Sequence, residues 1–134
     1  MSIRIRVTGI CVVENKNLLL IKEDVQGWPY AIPGGGVKAG ETITEALVWE
    51  FKEELNIKIT VENKIVYCSE YDRIDGVHVI EIAMLVSTKD RIESDDTLVI
   101  PLHKIAEYIR QDNIVTALQN IQPSLGSYLG MREA

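Results

Sequence analysis

From Val77 to Thr88 the chain has almost no polar face. Read as a strand, this run sends Val77, Val79, Glu81, Ala83 and Leu85 to one side and His78, Ile80, Ile82 and Met84 to the other. Apart from His78 and Glu81, both sides are apolar, and a strand of that kind needs cover on both faces. It therefore predicts a central strand of a sheet with structure packed above and below it. A second strand over 57–71 leads into it through Asp75-Gly76, a turn pair. Residues 3–13, rich in Ile and Val, and Leu18 to Lys22 predict another hairpin across Asn15-Lys16-Asn17. Thr97 to Ile100 reads as a short strand, and Leu102 to Ile109 and Val115 to Leu129 as helical stretches. Strands with a few helices and no regular alternation predict an α/β (α+β) fold, a mixed β-sheet between helices.

At 134 residues the chain has the size of one domain, and the expectation is a single domain over 1–134. Its net charge of −6 is a poor footprint for gripping long nucleic acids or anionic membranes. A small phosphorylated ligand can still bind if a divalent cation stands between the two. No apolar run approaches the roughly 20 residues of a membrane span, and no apolar segment follows Arg4 and Arg6 to make a signal peptide. Cys11 and Cys68 are far apart and make no Cys-x-x-Cys, so the expectation is two buried thiols in a reducing compartment, and a cytoplasmic protein.

Residues 24–40 hold seven Gly or Pro residues and predict a long loop with little regular structure. Long loops in compact domains often carry function. A helix begins sharply after it. Thr42 and Glu45 have capping-box spacing, and Asn56 suits a left-handed end after Leu55. On that helix Glu50, Glu53 and Glu54 fall within about a third of a turn of one another. They border a core stripe predicted to hold Leu47, Val48, Phe51 and Leu55.

Bare carboxylates are badly placed there. Two like charges about 4 Å apart repel by roughly 4 kcal/mol at an effective dielectric near 20. A proton, splayed side chains or a cation relieves this, and Mg²⁺ or Mn²⁺ prefers such oxygen ligands. Glu-x-x-Glu-Glu alone is more often a solvated face, and Pro33-Gly34-Gly35-Gly36 alone more often a turn. The glycines do not lead into a P-loop lysine. It is the two features together, at fixed spacing, that carry information.

Gly35, five residues, Glu41, then Glu50-Phe51-Lys52-Glu53-Glu54 and Ile57 resembles the Nudix box, with Tyr30-Ala31-Ile32-Pro33-Gly34-Gly35 similar to its usual lead-in. The resemblance implies metal-assisted hydrolysis of a nucleoside diphosphate linked to another moiety, such as a nucleoside triphosphate, ADP-ribose or a dinucleoside polyphosphate. It implies Glu50, Glu53 and Glu54 as ligands of Mg²⁺ or Mn²⁺, with a carbonyl of Gly34 or Gly35 helping. Glu50 and Glu53 would be catalytic, Glu50 by accepting a proton from water, and Glu41 would support them. A further acid often comes from a later loop, where Glu93, Asp95 and Asp96 are the candidates. Homodimers are common in the family.

Two positions depart from the box. Asn56 replaces its last glycine, a mild change, since Asn tolerates the left-handed region. Trp49 replaces its arginine and removes a charge one turn from Glu53. The alternative to an active hydrolase is therefore a catalytically weak module that binds a nucleotide or a protein. Outside the box, Trp28 and Tyr30 are candidates to stack on a nucleobase, and Arg4, Arg6 and Lys22 to reach a substrate phosphate. His78 and His103 have no Ser or Cys partner in a recognisable motif and are assigned structural roles.

Overall fold

The structure is a computed structural model that describes residues 2–14, 17–25, 27–109 and 112–121. In chain order the elements are β1 (Ile3–Val13), β2 (Asn17–Val25), β3 (Trp28–Ala31), β4 (Gly34–Gly36), α1 (Ile43–Leu55), β5 (Thr60–Asp72), β6 (His78–Ser87), β7 (Thr97–Pro101), a 3₁₀ helix (Leu102–Glu107) and α2 (Asp112–Ile121). The sheet runs β3-β2-β1-β6-β5, with β4 added to β1 and β7 to β2. β1 and β6 are parallel, and the other pairs are antiparallel, so the sheet is mixed as expected. Strand β1 forks the sheet. Along the edge away from β6, residues 6–8 pair with β4 and residues 12–13 with β2.

Alternation along the strands sorts the core into two layers. Ile10 and Val12 of β1, Leu18 and Leu20 of β2 and Leu85 of β6 face the 3₁₀ helix and α2, meeting Leu102, Ile105 and Leu118. Val7 and Cys11, Leu19 and Ile21, and Met84 and Val86 face α1, meeting Leu47, Phe51 and Leu55. Strand β6 is thus covered on both sides, as its composition requires.

Four expectations need correction. Residues 24–40 are not plain loop: they contain β3 and β4, made regular by pairing with β2 and β1. Cys11 is buried but Cys68 is exposed, on β5 at the edge of the sheet. Val48 is 40 % exposed, at the margin of the α1 stripe and not within it. The stretch from Leu102 is 3₁₀ rather than α. The last expected helix appears as Asp112–Ile121, and its extension to Leu129 lies outside the described residues. Among the described residues no helix is long and apolar enough to cross a membrane.

Candidate active site

Helix α1 is held at both ends and in the middle. The Thr42 hydroxyl accepts from Glu45 N–H at 3.0 Å, and Glu45 Oε1 accepts from Thr42 N–H at 2.9 Å, closing the capping box. At the far end Asn56 adopts φ 54°, ψ 40°, and its N–H donates to the Lys52 carbonyl. Between them the Phe51 ring is fully buried against β1, where a Cβ on Gly9 would lie 2.5 Å from it. The missing side chain of Gly9 therefore lets the helix lie close on the sheet. The residues either side of Phe51 inherit that fixed position.

The glycines ahead of the helix have equally specific reasons. A Cβ on Gly34 would lie 2.2 Å from the Val7 carbonyl, so this residue is small to let β4 pair tightly with β1. A Cβ on Gly35 would lie 2.4 Å from Glu50 Oε1. The Glu50 carboxylate thus occupies the space over Gly35, between the glycine strand and the helix.

Glu50 is half-buried, while Glu53 and Glu54 open to solvent. Partial desolvation, a proton shared with Glu50, and the charges of Glu50 and Glu23 push the Glu54 carboxyl up to about 7, against a lowering by Arg6. Glu50 and Glu54 are therefore brought together, whereas Glu53 is not part of that pair. Among the described residues no three Asp, Glu, His or Cys side chains are already gathered as for a metal. The donor set still fits a hard divalent cation: two adjacent carboxylates, one raised by the other's charge, over a glycine backbone that a side chain would obstruct. Glu41 stands apart, half-buried, with its Oε1 accepting from Lys38 N–H at 2.9 Å across the turn before the helix. Of the later acids, Asp96 lines a recess with Glu23 and Glu54, Glu93 lines one with Glu53 and Glu54, and Asp95 lines neither.

Against the end of α2, with Glu23 at its border, lies a cleft of about 230 Å³. Arg6, Thr8, Glu81 and Tyr67 give it polar walls, and Ile32 and Ile114 apolar ones. Arg6 and Glu81 are partners in the β1–β6 register, and Arg6 Nε lies 3.5 Å from Glu81 Oε1. The Tyr67 hydroxyl donates to Glu81 Oε2 at 3.0 Å. Burial and the Glu81 charge keep that hydroxyl protonated far above the usual tyrosine range. The buried Thr8 Oγ1 eases this shift but makes no hydrogen bond of ordinary geometry. Glu81, 7 % exposed, was visible in the sequence as the carboxylate interrupting an apolar strand. Glu23 carried no such signal. It joins this cleft to the helix acids, lining both this recess and that of Glu54.

The remaining candidates are placed less centrally. Tyr30 packs edge-on against Tyr108, with ring centroids 5.6 Å apart, and Trp28 is half-buried at the start of β3. Trp49 is 48 % exposed, with Lys38 Nζ 6.0 Å from its ring centroid. Lys22 is exposed and lines the recess of Glu23 and Glu54.

Comparison with known proteins decides the family. The NUDIX domain model matches residues 3–116. The chain belongs to the Nudix family. Its box is the stretch from Gly35 to Ile57, so the Nudix helix is α1 and the Nudix glycine strand is β4. An ADP-ribose pyrophosphatase of Methanocaldococcus jannaschii is 38 % identical over 84 residues, covering 61 % of this chain and 49 % of that protein. The chain spans about half the length of this relative. In fold, this Nudix protein is similar to the Escherichia coli ORF135 protein (TM-score 0.74, 20 % identity, 95 % of this chain and 94 % of that one). It is similar also to a MutT protein of Methanosarcina mazei Go1 (TM-score 0.73, 18 % identity, 92 % of this chain and 95 % of that one).

Proposed function

We propose that this Nudix protein is a divalent-metal-dependent hydrolase that cleaves a phosphoanhydride bond in a nucleoside diphosphate linked to another moiety. The observation that carries the reading is Glu50 lodged over Gly35 beside Glu54, next to a cleft with polar and apolar walls. Glu50, Glu54 and, by rotation of its exposed side chain, Glu53 would hold Mg²⁺ or Mn²⁺, with a Gly34 or Gly35 carbonyl. The bound ion would supply charge neutralisation at the phosphoryl oxygens and a more acidic water. Glu50, least exposed of the three, is the residue to accept the proton of that water. Arg6 lines the cleft, its charge acts on Glu54, and it would orient the phosphates. The likeness to the M. jannaschii ADP-ribose pyrophosphatase favours ADP-ribose among the substrates.

A phosphate-release screen with Mg²⁺ and with Mn²⁺ tests this, over ADP-ribose, nucleoside triphosphates, dinucleoside polyphosphates and nucleotide sugars. Metal-dependent turnover of at least one, abolished by Glu50→Gln, is expected. Trp49 at the arginine position favours a second reading, a module that binds nucleotide and turns it over slowly. Saturable nucleotide binding without release of product would select it.

A further inference from the structure

A second recess, of about 160 Å³, opens at the outer end of β1 and is lined by Arg4, Arg6, Arg73, Tyr71, Gly36 and Val79. Three of the chain's six arginines thus meet in one small space of a protein whose net charge is −6. Two have counter-ions. Arg6 faces Glu81 through its Nε, and Arg73 is bound to Asp75 through Nε and Nη2. Arg4 has none: among the described residues its guanidinium makes no ion pair and no side-chain hydrogen bond. It lies over the backbone of Gly36, where a Cβ would come within 2.9 Å of Nη2. Gly36 does not have the positive φ that would itself call for glycine. Its lack of a side chain is used to seat Arg4.

We propose that this recess is an anion subsite that takes a phosphate monoester. Arg4 supplies the unpaired charge and a planar fork of N–H donors suited to phosphate oxygens. Arg6 and Arg73 keep the N–H groups that Glu81 and Asp75 do not use. Those two carboxylates prevent a threefold positive charge, so the recess admits one dianion instead of attracting polyanions generally. Its volume suits a single phosphoryl group and not a nucleotide. Arg6 and Tyr71 line both this recess and the larger cleft, so the two adjoin. A phosphate carried by a nucleotide seated in the cleft can reach it, and so can free inorganic phosphate. None of the helix acids lines the subsite, and it stands whether or not the chain hydrolyses nucleotides.

The test is calorimetric titration of the whole protein in EDTA, which keeps phosphate from binding through a metal. The ligands are inorganic phosphate, AMP, and AMP carrying a second phosphate on its ribose 3′-hydroxyl. Arg4→Gln should weaken phosphate binding about tenfold, a single charge-assisted contact being lost. Gly36→Ala should weaken it similarly with little change in melting temperature, because its Cβ crowds the far end of the Arg4 side chain and meets the Ile5 carbonyl only at an ordinary 4.0 Å. If the bisphosphate binds more tightly than AMP and Arg4→Gln removes the gain, the phosphate is substrate-borne. If inorganic phosphate binds and the bisphosphate gains nothing, free phosphate is the occupant. Binding that neither substitution weakens, or no binding of any of the three ligands, would overturn the proposal.

Discussion

Gly35 and Glu50 occupy one volume between them: the carboxylate fills the place where a side chain on the glycine would stand, 2.4 Å from Oε1. The contact ties the glycine strand to the acidic helix and sets where the least exposed carboxylate of the box can point. Gly35→Ala should therefore displace Glu50 rather than unfold the chain, since the atoms met are the end of a side chain. Turnover should fall at least tenfold, while stability changes by no more than about 1 kcal/mol. Kinetics beside a thermal melt would show this, and a variant with unchanged turnover would mean that the position of Glu50 does not matter.

Glu54 predicts a pH dependence in the metal-free protein. Its folded-state value of about 7 lies above the ordinary 4.5. The protonated form is therefore favoured by folding. The associated stability is complete below about pH 4.5 and lost as pH rises through 7. Melting temperatures in EDTA should decline across that window, and Glu54→Gln should flatten the decline. In Mn²⁺ the wild type should regain stability at the upper end, and Glu54→Gln should regain much less.

Glu53 should behave unlike Glu50. It is exposed and lies outside the Glu50–Glu54 pair, so Glu53→Gln removes only solvated charge from the metal-free fold. Its melting temperature should stay within a few degrees of wild type, with turnover reduced by two orders of magnitude or more if it joins the metal. Retained turnover would restrict the site to Glu50 and Glu54.

Trp49 is half-exposed, so replacing it forfeits little packing. The roughly 3–5 kcal/mol lost when a buried Trp is truncated does not apply here. Trp49→Arg should remain folded and raise turnover by holding Glu53 one helical turn away. A folded variant with equal or lower rates on every substrate would show that the missing guanidinium does not limit this protein.

The two thiols should separate cleanly. Cys68 is exposed, while burial pushes the Cys11 thiol up to about 12. A thiol reagent at pH 8 should modify one cysteine in the native protein and the second only on unfolding, which mass mapping would identify as Cys68 first.

What the sequence revealed was local in origin. The capping box, the left-handed Asn56 and the two apolar faces of β6 all follow from periodicity and short-range hydrogen bonding, and all were found. β3 and β4 escaped because a stretch of Gly and Pro becomes strand only when β1 and β2 are there to pair with it. Cys68 and Val48 were misjudged because exposure at a sheet edge or a stripe margin depends on what fails to cover it. In the candidate site, Glu50, Glu54 and Gly35 were legible through their spacing. Glu23, Thr8, Tyr67 and Arg73 were not, since only the folded sheet brings these distant segments to the recesses that Arg6 lines.

The parallel pairing of β1 with β6 has a consequence for synthesis. Ile3 through Cys11 pair with His78 through Val86, so a central strand of the sheet is made first and its parallel neighbour much later. At about 5–20 residues per second, β1 waits roughly 4–15 s on the ribosome for that neighbour. During the wait β1 can pair only with β2 and β4, and the β6 edge of a strand rich in Ile and Val stays open. A nascent chain stalled before residue 78 should thus be a target for chaperones, and release from them should coincide with emergence of β6.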